Sequence, residues 1–125
     1  MNPWRLGLRE VSVHFGTFDY ALNCLVGPYK NVEKYVAWKF EDPGYRTDSP
    51  HEVKGRYFYR IGYAPIIWVP RKPRTPDEIG TLAHEVMHAI HYLLVDWAEI
   101  PFTADTQEVY CHAMGLAMRE LLTKL

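Results

Sequence analysis

At 125 residues with a formal net charge of −1, the chain is sized for one domain with a real core, and its charge argues against a strongly basic nucleic-acid binder. Hydrophobic residues make up 48% and charged residues 23%, which excludes general disorder and leaves enough apolar material for a packed interior. No run approaches about 18 consecutive apolar residues, which excludes a transmembrane helix, and Met1 to Glu10 lacks the apolar core of a secretory signal, so the expectation is a cytoplasmic protein without membrane contact. Nine Tyr and four Trp can fill a small core or line a peptide-binding groove, and composition does not separate the two. Cys24 and Cys111, isolated and without a disulfide framework, fit free, buried thiols.

Between Glu10 and Thr17, Val11, Val13 and Phe15 alternate with Ser12, His14 and Gly16, the period of a strand with one face buried. Tyr20 to Val26 is apolar without a period and reads as a second strand or the approach to a helix. After Gly27, Tyr29, Val32, Tyr35, Val36 and Phe40 keep helical spacing while Lys30, Glu33, Lys34 and Lys39 take the other side, predicting a short amphipathic helix laid on a sheet. Glu41 to Gly55, with its Asp-Pro-Gly and Ser-Pro, has the composition of a mobile surface loop. Arg56 to Tyr63 alternates, and Ile66 to Val69 is a short β-branched and aromatic run, so the two predict neighbouring strands. Pro65 and Pro70 bracket the second of these, which predicts a sheet edge where an extended peptide can add. Arg71, Lys72 and Arg74 around Pro73 are the one dense basic cluster, short enough to read as a solvated loop.

The next stretch carries the chemistry. Thr75 suits an N-cap, Pro76 the first helical position, and Glu78 completes a capping box. Ile79, Leu82, Ala83, Val86, Met87, Ile90, Leu93 and Leu94 then recur at helical spacing as a buried stripe. His84 and His88, four residues apart at the margin of that stripe, lie on one face about a turn apart, so their imidazoles can converge on one metal ion. Glu85 points aside, where a carboxylate can hold and deprotonate a metal-bound water, which makes the pattern H-E-x-x-H. Val95 to Asp105 reads as a loop, and Asp105 as a cap would put Glu108 at the third position, a second capping box, of a final helix continued by Val109, Ala113, Leu116, Ala117, Glu120 and Leu121. The elements together make an α+β fold over residues 1–125, a small mixed sheet with the H-E-x-x-H helix and a C-terminal helix.

Catalytic zinc takes three protein ligands and keeps a fourth position for water. His91, Asp96, Glu99, Asp105, Glu108 and His112 are the candidates for the third. His91 follows His84 by seven residues, about 10 Å along the axis, which is too far for one ion and suits a cleft residue. Asp96 and Glu99 would have to reach back past the helix end. Glu108 fares better, because a loop of about ten residues that reverses the chain returns the first turn of the last helix to His88.

With 19 residues between His88 and Glu108, the pattern resembles the gluzincin branch of the zincin metallopeptidases. Over about residues 64–125 the layout also resembles the minimal zincin domains of ImmA/IrrE type found in phages and mobile elements; residues 1–63 carry no such likeness. The resemblance implies one zinc ion held by His84, His88 and Glu108, Glu85 as general base, and a protein or peptide substrate. Gluzincins often place an acid or amide four residues after the ligand glutamate; His112 stands there in this chain, able to support a ligand histidine or to replace Glu108. Tyr110, His112, Tyr92 and His91 are candidates to stabilise the oxyanion. His14 and His51 have no spaced partner and read as ordinary side chains, and Met87, Met114 and Met118 as core fillers. The expected activity is zinc-dependent peptide hydrolysis by a metal-activated water. The alternatives are a catalytically silent zinc-binding interaction module and, from the basic cluster, a DNA-associated protease.

Overall fold

A computed structural model describes residues 1–16, 20–46 and 54–125 of the chain. His51 and much of the loop expected between Glu41 and Gly55 lie outside the described residues. The strands are β1 (Arg9–His14), β2 (Ala21–Val26), β3 (Arg56–Phe58) and β4 (Ile66–Val69), and the helices α1 (Val32–Lys39), α2 (Pro76–Tyr92) and α3 (Gln107–Lys124). The sheet order is β1-β2-β4-β3. The β1–β2 and β3–β4 pairs are antiparallel and β2–β4 is parallel, so the fold is α+β around a small mixed sheet, as expected.

Helices cover both faces of this sheet, and strand alternation assigns each side chain to one of two cores. Val11, Val13, Leu22, Cys24, Ile67 and Val69 pack with Leu82, Val86, Ala89 and Ile90 of α2 and Tyr110, Ala117 and Leu121 of α3. Leu25, Phe58, Ile66 and Trp68 pack instead with Val32, Tyr35 and Val36 of α1 and with Phe40 just beyond it. The amphipathic helix laid on the sheet is therefore α1, tied to β1 where the Tyr35 hydroxyl donates to Glu10 at 3.0 Å and Lys39 pairs with the same carboxylate at 3.3 Å. At the opposite end of the chain, the Arg9 guanidinium donates to the carbonyls of Lys124 and Leu125, which fastens the last turn of α3 to β1.

The structure corrects several expectations. β4 is not an edge: it pairs with β2 on one side and β3 on the other, and all four of its residues are buried. Pro65 and Pro70 sit just outside the paired residues, and the Pro65 carbonyl still accepts from Asn23 N–H at 3.1 Å, so neither proline costs the ladder a donor. The edge beside α2 is β3, which stops at Phe58; the chain then turns, Tyr63 N–H donating to the Arg60 carbonyl at 3.0 Å. Finally, Thr106 and not Asp105 occupies the N-cap of α3, which puts Glu108 at the second helical position without a capping box.

Beyond Tyr92 the helix widens into a π-helical turn over Leu93–Trp97 before the loop begins. Cys24 is a buried free thiol, which burial pushes up to about 12, whereas Cys111 is free but exposed, contrary to the expectation of two buried cysteines. Among the described residues no helix is long and apolar enough to cross a membrane.

Candidate metal centre

The helix that presents the motif is fixed at its start. The Thr75 hydroxyl accepts from Glu78 N–H at 3.2 Å, and the Glu78 carboxylate accepts from Thr75 and Arg74 N–H, each at 3.1 Å, so the capping box is complete. Arg71 Nε lies 2.5 Å from the other Glu78 oxygen. The Arg71 hydrogen bond first, then those two backbone donors, hold the Glu78 carboxyl down at about 2. Part of the basic cluster therefore works as a helix clamp.

Farther along α2, His84 and His88 are both exposed, and their Nε2 atoms stand 3.2 Å apart. Two nitrogens bound to one tetrahedral zinc at about 2.0–2.1 Å each stand about 3.3 Å apart. The pair thus fits a zinc ion in two of its protein positions. Glu85, between them in sequence, turns inward and is only 8% exposed. Burial pushes its carboxyl up from the ordinary value, opposed by the neighbouring His84, His88 and Arg56.

The strand side of the cleft closes tightly on this glutamate. A Cβ added at Gly55 would lie 2.8 Å from Thr81 Cγ2 and 3.2 Å from Glu85 Cγ, so only glycine allows the chain to pass α2 this closely. Lys54, Gly55, Gly80, Thr81, His84 and Glu85 line a shallow opening on this side of the helix. Two residues on, Tyr57 lays its ring parallel to the His88 imidazole, centroids 5.4 Å apart and planes 11° apart. Neither Gly55 nor Tyr57 stood out in the sequence as a site residue. The alternation of Tyr57, Tyr59 and Ile61 was the available signal, and it names a strand face without naming its neighbour.

The remaining candidates lie apart. Glu108 and His112 are 82% and 84% exposed and pair with each other across one turn of α3 at 3.6 Å. Among the described residues no three His, Cys, Asp or Glu side chains gather as a metal site, so Glu108 does not stand with His84 and His88 in this arrangement. His91 is exposed on α2, its ring 6.4 Å from that of Tyr110. Two of the oxyanion candidates have hydroxyls that hold backbone in this structure. Tyr110 is buried and donates to the Ile100 carbonyl at 2.6 Å. Tyr92, also buried, donates to the Arg60 carbonyl at 2.9 Å and accepts from Trp97 Nε1 at 3.0 Å.

No model of a protein family matches the chain. None of the curated proteins matches it significantly, and neither does any solved structure. The chemistry open to the site follows from its own residues. The site offers two convergent imidazoles to a cation and sets a largely buried carboxylate beside them.

Proposed function

We propose that the chain is a zinc-dependent metallopeptidase of gluzincin type, similar in layout to the minimal ImmA/IrrE-like domains of phages and mobile elements, working on a peptide or protein substrate in the cytoplasm. The observation that carries this reading is the 3.2 Å spacing of His84 Nε2 and His88 Nε2 on one helix, with the largely buried Glu85 between them in sequence. His84 and His88 would hold the zinc, with Glu108 as the proposed third ligand. Glu108 is exposed and tied only loosely to His112, so its carboxylate can turn at little cost.

When bound, zinc lowers the pKa of a coordinated water toward about 7 and polarises a scissile carbonyl. Glu85 accepts the proton of the attacking water and later returns it to the leaving amine. Its burial suits that exchange, because a desolvated carboxylate is a stronger base than a hydrated one. β3 is the sheet edge beside α2, so an extended substrate would lie along it.

The test is metal analysis of the purified protein combined with hydrolysis of a diverse peptide library. One zinc per chain and cleavage are expected for the wild type. Glu85→Gln should keep the zinc and lose turnover, and His88→Ala should lose both. Equal cleavage by Glu85→Gln and wild type would falsify the mechanism.

The second reading, a silent zinc-binding interaction module, is favoured by the pairing of Glu108 with His112 rather than with the histidines. Zinc binding without cleavage of any library peptide selects it. A DNA-associated protease draws less support, because Arg71 is engaged at Glu78; absence of DNA binding at low salt ends that idea.

A further inference from the structure

A metal-ligating histidine needs its ring plane fixed, because rotation about the side chain swings Nε2 off the ion. Metal sites usually meet this need with a hydrogen bond to the second ring nitrogen. Here β3 supplies a stacked ring at the same residue.

The register explains how. Tyr57 stands opposite Ile67 across the β3–β4 pair, and residues directly opposite share a sheet face. Ile67 belongs to the core under α2 and α3, and Tyr57 packs against that same core. The strand therefore delivers the Tyr57 ring to α2, where it lies parallel to His88 at 5.4 Å, within the range of offset stacking. Tyr59 stacks on Tyr57 in turn, 5.7 Å away and 12° from parallel. Tyr59 then meets Tyr92 at 5.6 Å, and the Tyr92 hydroxyl donates to the carbonyl of Arg60, the residue after Tyr59. His88 and Tyr92 are one turn apart on α2, while Tyr57 lies in β3 and Tyr59 just beyond its end. Two rings from β3 and the residue just past it, and two from the helix, thus form a clasp, with His88 and Tyr59 as its exposed members.

We infer that Tyr57 is a positioning residue for His88: its stacked ring holds the imidazole plane so that Nε2 stays aimed at the point it shares with His84. This rests on the zinc reading above. The Tyr57 hydroxyl has no part in the role, so phenylalanine should replace tyrosine and an aliphatic side chain should not.

The test uses the full chain with zinc alone, its affinity measured by competition with a colorimetric chelator. Tyr57→Phe should bind zinc within about twofold of the wild type, and Tyr57→Leu should bind it about tenfold or more weakly, the size expected when the partner of a ligand histidine is lost. In metal-free protein the His88 ring protons should resonate upfield, under the ring current of Tyr57, in the wild type and Tyr57→Phe, and should lose that shift in Tyr57→Leu. A folded Tyr57→Leu that binds zinc as tightly as the wild type overturns the positioning role, and so does a Tyr57→Phe that loses as much affinity as the leucine variant. Should Tyr57→Leu not fold, unshifted His88 ring protons in the wild type overturn it alone. A folded wild type that binds no zinc overturns the metallopeptidase reading, and this inference with it.

Discussion

The starts of α2 and α3 differ, although each has a threonine at the N-cap and a glutamate in the first turn. At α2 the threonine and the glutamate satisfy each other's backbone donors and Arg71 locks the glutamate. At α3 the Thr106 hydroxyl turns back into the loop, donating to the Pro101 carbonyl at 2.5 Å and accepting from Thr103 N–H at 2.8 Å, while Glu108 points to solvent. The two histidines therefore inherit a frame that is complete within their own helix. Glu108, the proposed third ligand, depends on a loop that must place a second helix.

The largest effect that bears on this contrast is chemical. Glu85→Gln should lower peptide hydrolysis by about 10²–10⁴-fold, the usual share of a general base, with zinc content unchanged by metal analysis. Gly55→Ala tests the wall that the fixed helix leans on. The new methyl must displace Thr81 or Glu85, so a loss of about 1–3 kcal/mol is expected in urea denaturation, and Thr81→Ser, which removes the closest atom, should restore part of it. Unchanged stability in Gly55→Ala would mean that the chain entering β3 does not press on α2.

The caps themselves separate the two helices. Thr75→Ala should cost about 1 kcal/mol of stability, seen as a lower melting temperature, with zinc affinity little changed. Thr106→Ala releases loop contacts instead, so its main effect should be a severalfold weaker zinc affinity if Glu108 is the third ligand. Equal affinity for zinc in both variants removes Glu108 from the site.

The smallest effect is in pH. Glu78 titrates at about 2 in the folded chain, below the unfolded value of about 4.3, so its contribution is present above that unfolded value and is lost as pH falls from there toward 2. The melting temperatures of wild type and Glu78→Gln should converge over that window. A gap that stays constant from neutral pH down to 2 removes Glu78 from the clamp.

The parts legible in the sequence were those that one helix settles within itself. Thr75, Pro76, Glu78 and the spacing of Leu82, Val86 and Ile90 specify α2 without reference to any other element, and the convergence of His84 and His88 follows from helical geometry alone. β4 was misplaced because proline reports on its own missing N–H, and Pro65 and Pro70 lie beyond the residues that pair. The edge belongs to β3 because of where the chain travels between strands, which no local pattern records. Asp105 and Thr106 are both good caps, and the choice fell to loop contacts with Pro101 and Thr103. Tyr57 was invisible as a site residue because its partner, His88, lies on an element fixed by long-range packing.

The parallel pairing of β2 with β4 also has a kinetic side. The β1–β2 ladder joins neighbouring segments, and hairpins of that kind close in about 1–10 μs. β4 can align on β2 only after the whole segment from Gly27 to Pro65 has looped back, a closure that costs entropy before any contact repays it. The surface that receives α2 is completed by β4, and Tyr57 arrives with β3 at the same stage. On this order of events the histidine pair exists as soon as α2 does, but its clasp is a late product. If closure of that segment limits folding and zinc, as proposed, needs the finished clasp to bind tightly, zinc added to the unfolded chain should leave the refolding rate nearly unchanged and slow unfolding instead.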